Sequence, residues 1–137
     1  MPSCVRSPRS YTGASHAVHP RPARRRHHRV ALHDRLQRPR DAAERLKAGT
    51  IDIIDVREPH ELAIAQYPKV TAIPLGQLAA HVAELPRDRD LVLACRSGVR
   101  SAKAVQQLQA AGFTRVWNLA GGIHRWIDEV DPSQPKY

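Results

Sequence analysis

Short apolar runs alternate with segments of helical periodicity from residue 41 onward, and this alternation restricts the fold more than any other feature. The densest run contains Ile51, Ile53, Ile54 and Val56, which are β-branched and too few for a helix, so it predicts a buried strand. Further strands are predicted at 70–73, 91–94 and 113–119, and helices at 41–48, 58–65, 75–85, 101–111 and after Gly122. Strands that alternate with helices favour a parallel sheet with right-handed crossovers. We therefore expect a single small α/β domain with a central parallel sheet and helices on both faces.

The net positive charge of the chain comes from its first third. The sequence has 137 residues and a formal net charge of +9, a value often seen in proteins that bind nucleic acids. Residues 1–40 contain ten arginines and one acid, Asp34, whereas residues 41–137 contain twelve basic and twelve acidic side chains. The predicted domain is therefore neutral overall, and we expect neither a nucleic acid nor a membrane as its partner.

Residues 1–39 form a basic segment rich in Arg, His, Pro and Ser, with almost no large apolar side chain before Val30. Such a segment cannot bury enough surface to offset the entropy of ordering, which predicts a disordered tail. An organelle-targeting peptide, a basic binding arm and a segment not native to the protein are the alternatives, although prolines oppose the helix of a targeting peptide. The expected organisation is this tail, a domain over 40–130 and an extension over 131–137.

The two cysteines, Cys4 and Cys95, lie far apart in the sequence, so a structural disulfide is not expected. A reducing compartment fits this cysteine usage, and a cytoplasmic location is predicted. No stretch reaches the roughly 18 apolar residues that a membrane helix needs. His60, His81 and His124 lack the spacing of metal ligands, so no metal site is predicted.

The loop between strand 91–94 and the next helix is the segment most informative about chemistry; it reads Cys95-Arg96-Ser97-Gly98-Val99-Arg100-Ser101. Functional groups in open α/β sheets gather beyond the carboxyl ends of the strands. A short loop that contains a glycine and leads into a helix can turn several backbone N–H groups toward one anion. Together with Arg96 and Arg100, these groups should lower the pKa of the Cys95 thiol below about 8.5 and make it a nucleophile. A buried, inert cysteine is the alternative.

The spacing within the loop distinguishes two chemistries. Cysteine phosphatases place five residues between the cysteine and the arginine that surround a phosphate, whereas four residues separate Cys95 from Arg100. The tighter ring favours a persulfide or a sulfane sulfur over a phosphate. A phosphatase or an arsenate reductase is therefore the less favoured alternative.

Four segments in register resemble the rhodanese family. The loop 95–101 resembles the family's active-site loop, and segments 55–61, 73–75 and 112–126 resemble its second-strand motif, strand-to-helix step and closing signature. Residues 126–137 further resemble the C-terminus of adenylyltransferase/sulfurtransferase fusions that activate sulfur-carrier proteins for molybdopterin or thiamine synthesis. The chain shows no glycine motif for nucleotide binding, so adenylation is not assigned.

The resemblance implies a sulfurtransferase in which Cys95 carries a sulfane sulfur as a persulfide. The donor would be thiosulfate or a persulfide-bearing protein, and the acceptor a thiol or a sulfur-carrier protein. Persulfide chemistry needs no cofactor. A non-catalytic binding module of the same fold is the alternative, and it predicts a missing or unreactive cysteine.

Four charged side chains are candidates for supporting roles. Arg96 and Arg100 are expected to orient an anionic donor, with a role in holding the loop as the alternative for Arg100. Asp55 and Arg57 lie at the carboxyl end of the first clear strand, where they form either part of the active-site rim or a structural ion pair.

Two departures from the family pattern concern structure more than chemistry. The usual first strand of the family would have to fall at residues 30–32, which match it poorly, and its absence would expose an edge of the sheet. Ala65 and Lys69 stand where the family often has glycine, which puts the shape of that loop in question.

Overall fold

A computed structural model describes residues 35–137, which form an α/β unit. In chain order the elements are α1 (Pro39–Lys47), β1 (Ile51–Asp55), α2 (Pro59–Leu62), β2 (Val70–Ala72), α3 (Leu78–His81), β3 (Asp90–Ala94), α4 (Val99–Ala110), β4 (Val116–Asn118) and α5 (Gly122–Glu129). Within these residues the strands form one parallel sheet with the order β2-β1-β3-β4. The predicted fold class is therefore confirmed.

Two separate apolar clusters cover the two faces of the sheet. Alternate residues of a strand point to opposite faces, so Ile53 and Val92 join one cluster while Ile54 and Leu93 join the other. Helices α1 and α5 complete the first cluster, in which the indole of Trp126 is fully buried. Helices α3 and α4 complete the second. The central strands β1 and β3 are buried on both faces, which explains why apolar residues predominate in both.

The register of β1 and β3 places two groups of candidate residues at one edge of the sheet. Asp55, the last residue of β1, pairs with Ala94, the last residue of β3. Cys95 and Val56 therefore leave the sheet side by side, and the N–H of Val56 donates to the carbonyl of Ala94 at 2.9 Å. The loop 95–98 and the segment after β1 meet as a consequence of strand pairing.

Several predicted elements differ from the observed ones, and the predicted helix 58–65 is limited to α2. The predicted helix 75–85 is a series of short turns, with a 3-10 turn at Leu75–Gln77, then α3, then a second 3-10 turn at Val82–Glu84. Pro74 and Gly76 lie at its start, and both residues disfavour a regular helix. Strand β4 is shorter than the predicted 113–119, because the N–H of Phe113 still bonds to the turn that ends α4. Helix α4 begins two residues before the predicted start at Ser101.

The loop around Lys69 shows why glycine suits this position. Lys69 has a φ of +49°, and it is the one non-glycine residue with positive φ among residues 35–137. A left-handed backbone costs a residue with a Cβ roughly 1–2 kcal/mol. The loop thus keeps the conformation that a glycine would adopt more readily. Residues 30–32, at which the first strand of the family would fall, lie outside the described residues.

Candidate active site

Cys95 lies immediately after β3 at the carboxyl edge of the sheet, and 1% of its surface is exposed. The loop turns into α4 at Gly98, which has a φ of +105°. Glycine adopts this left-handed conformation at little cost, so the chain can reverse within three residues of the cysteine. The N–H groups at the start of α4 therefore face the sulfur.

Three hydrogen-bonding groups surround the Cys95 sulfur. The N–H of Gly98 lies 3.0 Å from Sγ, the N–H of Ser101 lies 3.4 Å away, and the Ser101 hydroxyl oxygen lies 3.3 Å away. Burial raises the pKa of the Cys95 thiol, but hydrogen bonds from the Ser101 hydroxyl and from the N–H groups of Ser101, Gly98 and Ser97 outweigh it. The pKa is therefore lowered from its usual value, and the thiolate is favoured.

The Ser101 hydroxyl has one hydrogen and two partners. It lies 2.5 Å from Oδ1 of Asn118, to which it can donate, and 3.3 Å from the Cys95 sulfur. When Cys95 is a thiol, its S–H donates to Ser101 and Ser101 donates to Asn118. When Cys95 is a thiolate, the hydroxyl hydrogen has a choice between the two acceptors. The N–H groups of Gly98 and Ser101 donate to the sulfur whichever acceptor the hydroxyl chooses. These N–H groups and the Ser101 hydroxyl together are called the cradle of the Cys95 sulfur.

The loop is held by hydrogen bonds to its own carbonyl groups. The phenol of Tyr67 donates to the carbonyl of Cys95 at 2.6 Å, and the N–H of Ile123 donates to the same oxygen at 2.9 Å. The Asn118 amide donates to the carbonyl of Gly98 at 3.1 Å. Burial and the negative charge of Asp55 raise the pKa of Tyr67 well above 10, so the phenol stays protonated and remains a donor.

Gly122 allows the loop to approach α5 closely. A Cβ placed on Gly122 would lie 2.3 Å from the carbonyl oxygen of Arg96 and 2.6 Å from the nitrogen of Ser97. Its φ of +59° is also one that glycine tolerates best. The second glycine of the pair Gly121-Gly122 is therefore required by the position of the cysteine loop.

The two arginines of the loop have different partners. Arg100 forms a bidentate pair with Glu61, in which Nη1 and Nη2 each lie 2.9 Å from a carboxylate oxygen. This pair raises the pKa of Arg100, and despite partial burial Arg100 lowers the pKa of Glu61. Arg96 is exposed, and its guanidinium lies 4.6 Å from the centre of the Tyr137 ring. Within residues 35–137 no carboxylate forms an ion pair with Arg96.

Asp55 and Arg57 form a fully buried ion pair beside the loop. The shortest contact, 2.7 Å, joins Nη2 of Arg57 to Oδ2 of Asp55, and both side chains are 0% exposed. Each of the five guanidinium N–H groups has an acceptor, since Ala65, Glu61 and Tyr137 supply the oxygens that Asp55 does not. Asp55 and Arg57 thus form the structural ion pair that was one of the two expectations, and a role at the rim of the active site stays a prediction.

The remaining loop positions contribute in different ways. The N–H of Ser97 contributes to the lowering of the Cys95 pKa, whereas Val99 is 63% exposed at the outer end of the loop. Within the part of the chain that the structure describes, no group of three His, Cys, Asp or Glu side chains is placed to hold a metal ion. In the same part, no helix has the length and apolar character needed to cross a bilayer.

Sequence reasoning did not single out four residues that complete the site. Glu61 and Asn118 lie inside the segments that resemble the family, but spacing alone does not reveal their partners Arg100 and Ser101. Tyr67 follows α2 in an irregular loop, and no periodicity marks it as a loop anchor. The fourth residue, Tyr137, lies in the predicted C-terminal extension.

Comparison with known proteins adds a second line of support for the family. A protein named sulfurtransferase from Allochromatium vinosum is 41% identical over 81 residues, which cover 58% of this chain and 76% of that protein. The probable adenylyltransferase/sulfurtransferase MoeZ of Mycobacterium tuberculosis is 36% identical over 102 residues, which cover 72% of this chain and 26% of that protein. The chain thus spans about a quarter of the longer relative.

A solved structure shows the same fold. The crystal structure of a rhodanese-related protein from Thermoplasma volcanium has a TM-score of 0.62 and 33% identity, and the match covers 72% of this chain and 92% of that chain. Residues 38–129 match the rhodanese-like domain, which is more than half of the sequence. This agrees with the resemblance seen in the four motifs, and the chain therefore belongs to the family of rhodanese-like domains.

Proposed function

We propose that this protein is a sulfurtransferase in which Cys95 accepts a sulfane sulfur as a persulfide and passes it to an acceptor. The observation that carries the proposal is the set of N–H groups, from Gly98 and Ser101, that lies within 3.4 Å of the Cys95 sulfur. These donors favour the thiolate, which is the nucleophilic form. The same donors suit the terminal sulfur of a persulfide, which is also an anion.

The reaction proceeds in two displacement steps. With thiosulfate as donor, the Cys95 thiolate attacks the sulfane sulfur, a new sulfur–sulfur bond forms, and sulfite leaves with the electron pair of the broken bond. A thiolate acceptor then attacks the terminal sulfur of the persulfide, and Cys95 leaves as the thiolate. No net oxidant or metal is needed, and the cysteine returns to its starting state.

The two loop arginines have distinct proposed roles. Arg96 orients the anionic donor, because it is exposed at the mouth of the loop and has no carboxylate partner among the described residues. Arg100 contributes positive charge near the sulfur and also holds the loop through its pair with Glu61. Asp55 and Arg57 support the rim from within the protein.

The proposed acceptor is a small thiol or a sulfur-carrier protein. The resemblance of residues 126–137 to adenylyltransferase/sulfurtransferase fusions supports a sulfur-carrier acceptor of the kind used in molybdopterin synthesis, and the relative from Mycobacterium tuberculosis is named a probable adenylyltransferase/sulfurtransferase. The adenylation step is not proposed for this chain. A reducing, cytoplasmic setting is proposed because the cycle requires a free cysteine.

Intact-mass measurement tests the proposal directly. The protein is incubated with thiosulfate, freed of small molecules, and measured before and after a reductant is added. We expect a gain equal to one sulfur atom that the reductant removes, in the wild type and in Cys4→Ser but not in Cys95→Ser. The Cys4→Ser variant is the matched control because Cys4 is the second thiol of the chain.

The opposite result separates the alternatives. If neither thiosulfate nor a low-molecular-weight persulfide adds sulfur to Cys95, the protein is not a sulfurtransferase. Hydrolysis of a small aryl phosphate that depends on Cys95 would then identify a phosphatase. Loss of both activities in a folded protein would identify a non-catalytic binding module.

A further inference from the structure

The C-terminal extension, residues 131–137, returns from α5 to the edge of the sheet that carries Cys95. Gln134 fixes it to the loop before β2, because its side-chain amide accepts from the N–H of Gln66 at 2.7 Å and donates to the carbonyl of Gln66 at 2.8 Å. An ion pair between Lys136 and Asp128 holds the segment against α5. These contacts bring Tyr137 to the active site.

Tyr137 has contacts with three parts of the site. Its phenol oxygen accepts a hydrogen bond from Nη1 of the buried Arg57 at 3.0 Å. Its main-chain oxygen lies 2.6 Å from Nε2 of His124, and the two rings meet edge to face at 6.1 Å. Its ring face lies 4.6 Å from the guanidinium of Arg96. The aromatic ring is thus fixed at its hydroxyl and at its backbone, while its face is occupied by a loop arginine.

The contact with the Tyr137 ring fixes the position of the Arg96 side chain. An exposed arginine samples many rotamers. A sulfur donor that binds to only one rotamer must therefore order the arginine side chain when it binds. A cation above an aromatic face is stabilised electrostatically, and the guanidinium of Arg96 lies above the Tyr137 ring. Tyr137 therefore preorganises the cation at the mouth of the loop.

We propose that Tyr137 is a positioning residue for sulfur transfer, which holds Arg96 in the orientation that receives an anionic sulfur donor. The proposal rests on the sulfurtransferase function proposed above and adds a residue outside the cysteine loop and outside the matched segment 38–129. It assigns a role in donor selection to the extension, whose other contacts are structural.

Two variants separate the ring from the hydroxyl of Tyr137. Tyr137→Phe and Tyr137→Leu both lose the hydrogen bond to Arg57, but only the leucine variant loses the aromatic face. A purely structural role, in which Tyr137 only satisfies Arg57, predicts equal effects of the two substitutions. The proposed role predicts that phenylalanine preserves donor use and leucine does not.

Steady-state kinetics with thiosulfate as donor and dithiothreitol as acceptor measures the two half-reactions separately. In a two-step exchange, kcat/KM for each substrate reports the step in which that substrate reacts. For Tyr137→Leu we expect kcat/KM for thiosulfate to fall about two- to fivefold, as loss of an exposed cation–π contact implies. The kcat/KM for dithiothreitol, which has no anionic group besides its reacting thiolate, should stay unchanged, and Tyr137→Phe should match the wild type in both values.

A double-substitution cycle tests whether Tyr137 acts through Arg96. In an Arg96→Gln background, Tyr137→Leu should cause no further loss in kcat/KM for thiosulfate. Thermal unfolding of each variant confirms folding, and Tyr137→Met replaces the leucine variant if leucine prevents folding. Equal losses in Tyr137→Phe and Tyr137→Leu, or an additive cycle, would overturn the proposal while the wild type remains a sulfurtransferase. A wild type that takes up no sulfur would overturn the proposed function, and this proposal with it.

Discussion

Single residues decide the acidity of the Cys95 sulfur. The groups in hydrogen-bond range are the N–H groups of Gly98 and Ser101 and one hydroxyl, whereas the guanidinium of Arg96 lies against Tyr137. A backbone donor cannot be removed by ordinary substitution, so the thiolate is protected against most sequence changes in the loop. The side chain of Ser101 is the part of the cradle that mutation can reach.

We expect Ser101→Ala to move the pH dependence of sulfur uptake to higher pH. The pKa of Cys95 is lowered in the folded protein, so the reactive thiolate is present above that pKa and is lost as pH falls through it. Loss of a hydroxyl donor raises the pKa and reduces the rate at neutral and acidic pH, with little effect at alkaline pH. The measurement is the rate of persulfide formation from pH 5 to 10, with Ser97→Ala as the control because its exposed hydroxyl makes no hydrogen bond within residues 35–137. An unchanged profile in Ser101→Ala would show that the N–H groups alone stabilise the thiolate.

Removal of one partner of the buried pair beside the site should destabilise the fold strongly. Asp55→Ala leaves the guanidinium of Arg57 buried without its counter-charge, which costs about 3–5 kcal/mol. The matched control is Asp52→Ala, because Asp52 pairs with Arg89 at the surface, where such pairs contribute about 0–1 kcal/mol. Urea unfolding measures both values. Similar losses in the two variants would mean that the Asp55–Arg57 pair is no stronger than a surface pair.

The helices and strands differ in how well they could be predicted from their sequences. Strands β1 and β3 were predictable because their β-branched and apolar residues are buried on both faces. The segment 75–85 was predicted as one helix because its apolar residues recur at helical spacing, yet spacing does not report how tightly each turn is wound. The short helix α2 was predicted too long, since its capping box of Glu58 and Glu61 fixes the start but not the end.

At the scale of elements, the close approach of α5 to the cysteine loop at Gly122 leads to a testable prediction. Gly122→Ala places a Cβ against the carbonyl of Arg96 and should displace the loop, with a loss of about 100-fold in the rate of sulfur uptake. Gly49→Ala is the control, because Gly49 also has a positive φ of +79° but has no atom within 4 Å of the added Cβ. Both variants share the backbone strain of roughly 1–2 kcal/mol, so only the clash distinguishes them. A normal rate in Gly122→Ala would show that the loop tolerates a shift away from α5.

At the scale of the whole molecule, the net positive charge lies in the N-terminal tail, whereas the residues of the proposed reaction lie in the neutral remainder of the chain. Residues 41–137 carry equal numbers of acidic and basic side chains, and the site built around Cys95 lies within residues 35–137. We expect a variant that lacks residues 1–34 to load sulfur from thiosulfate at the rate of the full chain and to elute earlier from a cation exchanger of heparin type. Intact mass after a timed incubation measures the loading. Loss of loading in a folded truncated protein would show that the tail takes part in the reaction.

The whole site was only partly predictable from the sequence. The loop 95–101 and the pair Asp55 and Arg57 follow from local pattern, because strand pairing brings the ends of β1 and β3 together. The contacts of Tyr67 and Tyr137 were not predictable, since they join loops whose paths depend on packing of several elements. Non-local contacts of this kind leave no periodic signal in the chain.

The hydrogen bond from Arg57 to Tyr137 joins positions 80 apart in the sequence. The other acceptors of the Arg57 guanidinium all lie between residues 55 and 65. The guanidinium therefore obtains its last acceptor only when residue 137 is in place. Closure of so long a loop is slow compared with local pairing, and it belongs to the late part of folding. During synthesis, the chain is therefore expected to expose an incompletely paired interior cation to chaperones and proteases until residue 137 has left the ribosome and docked.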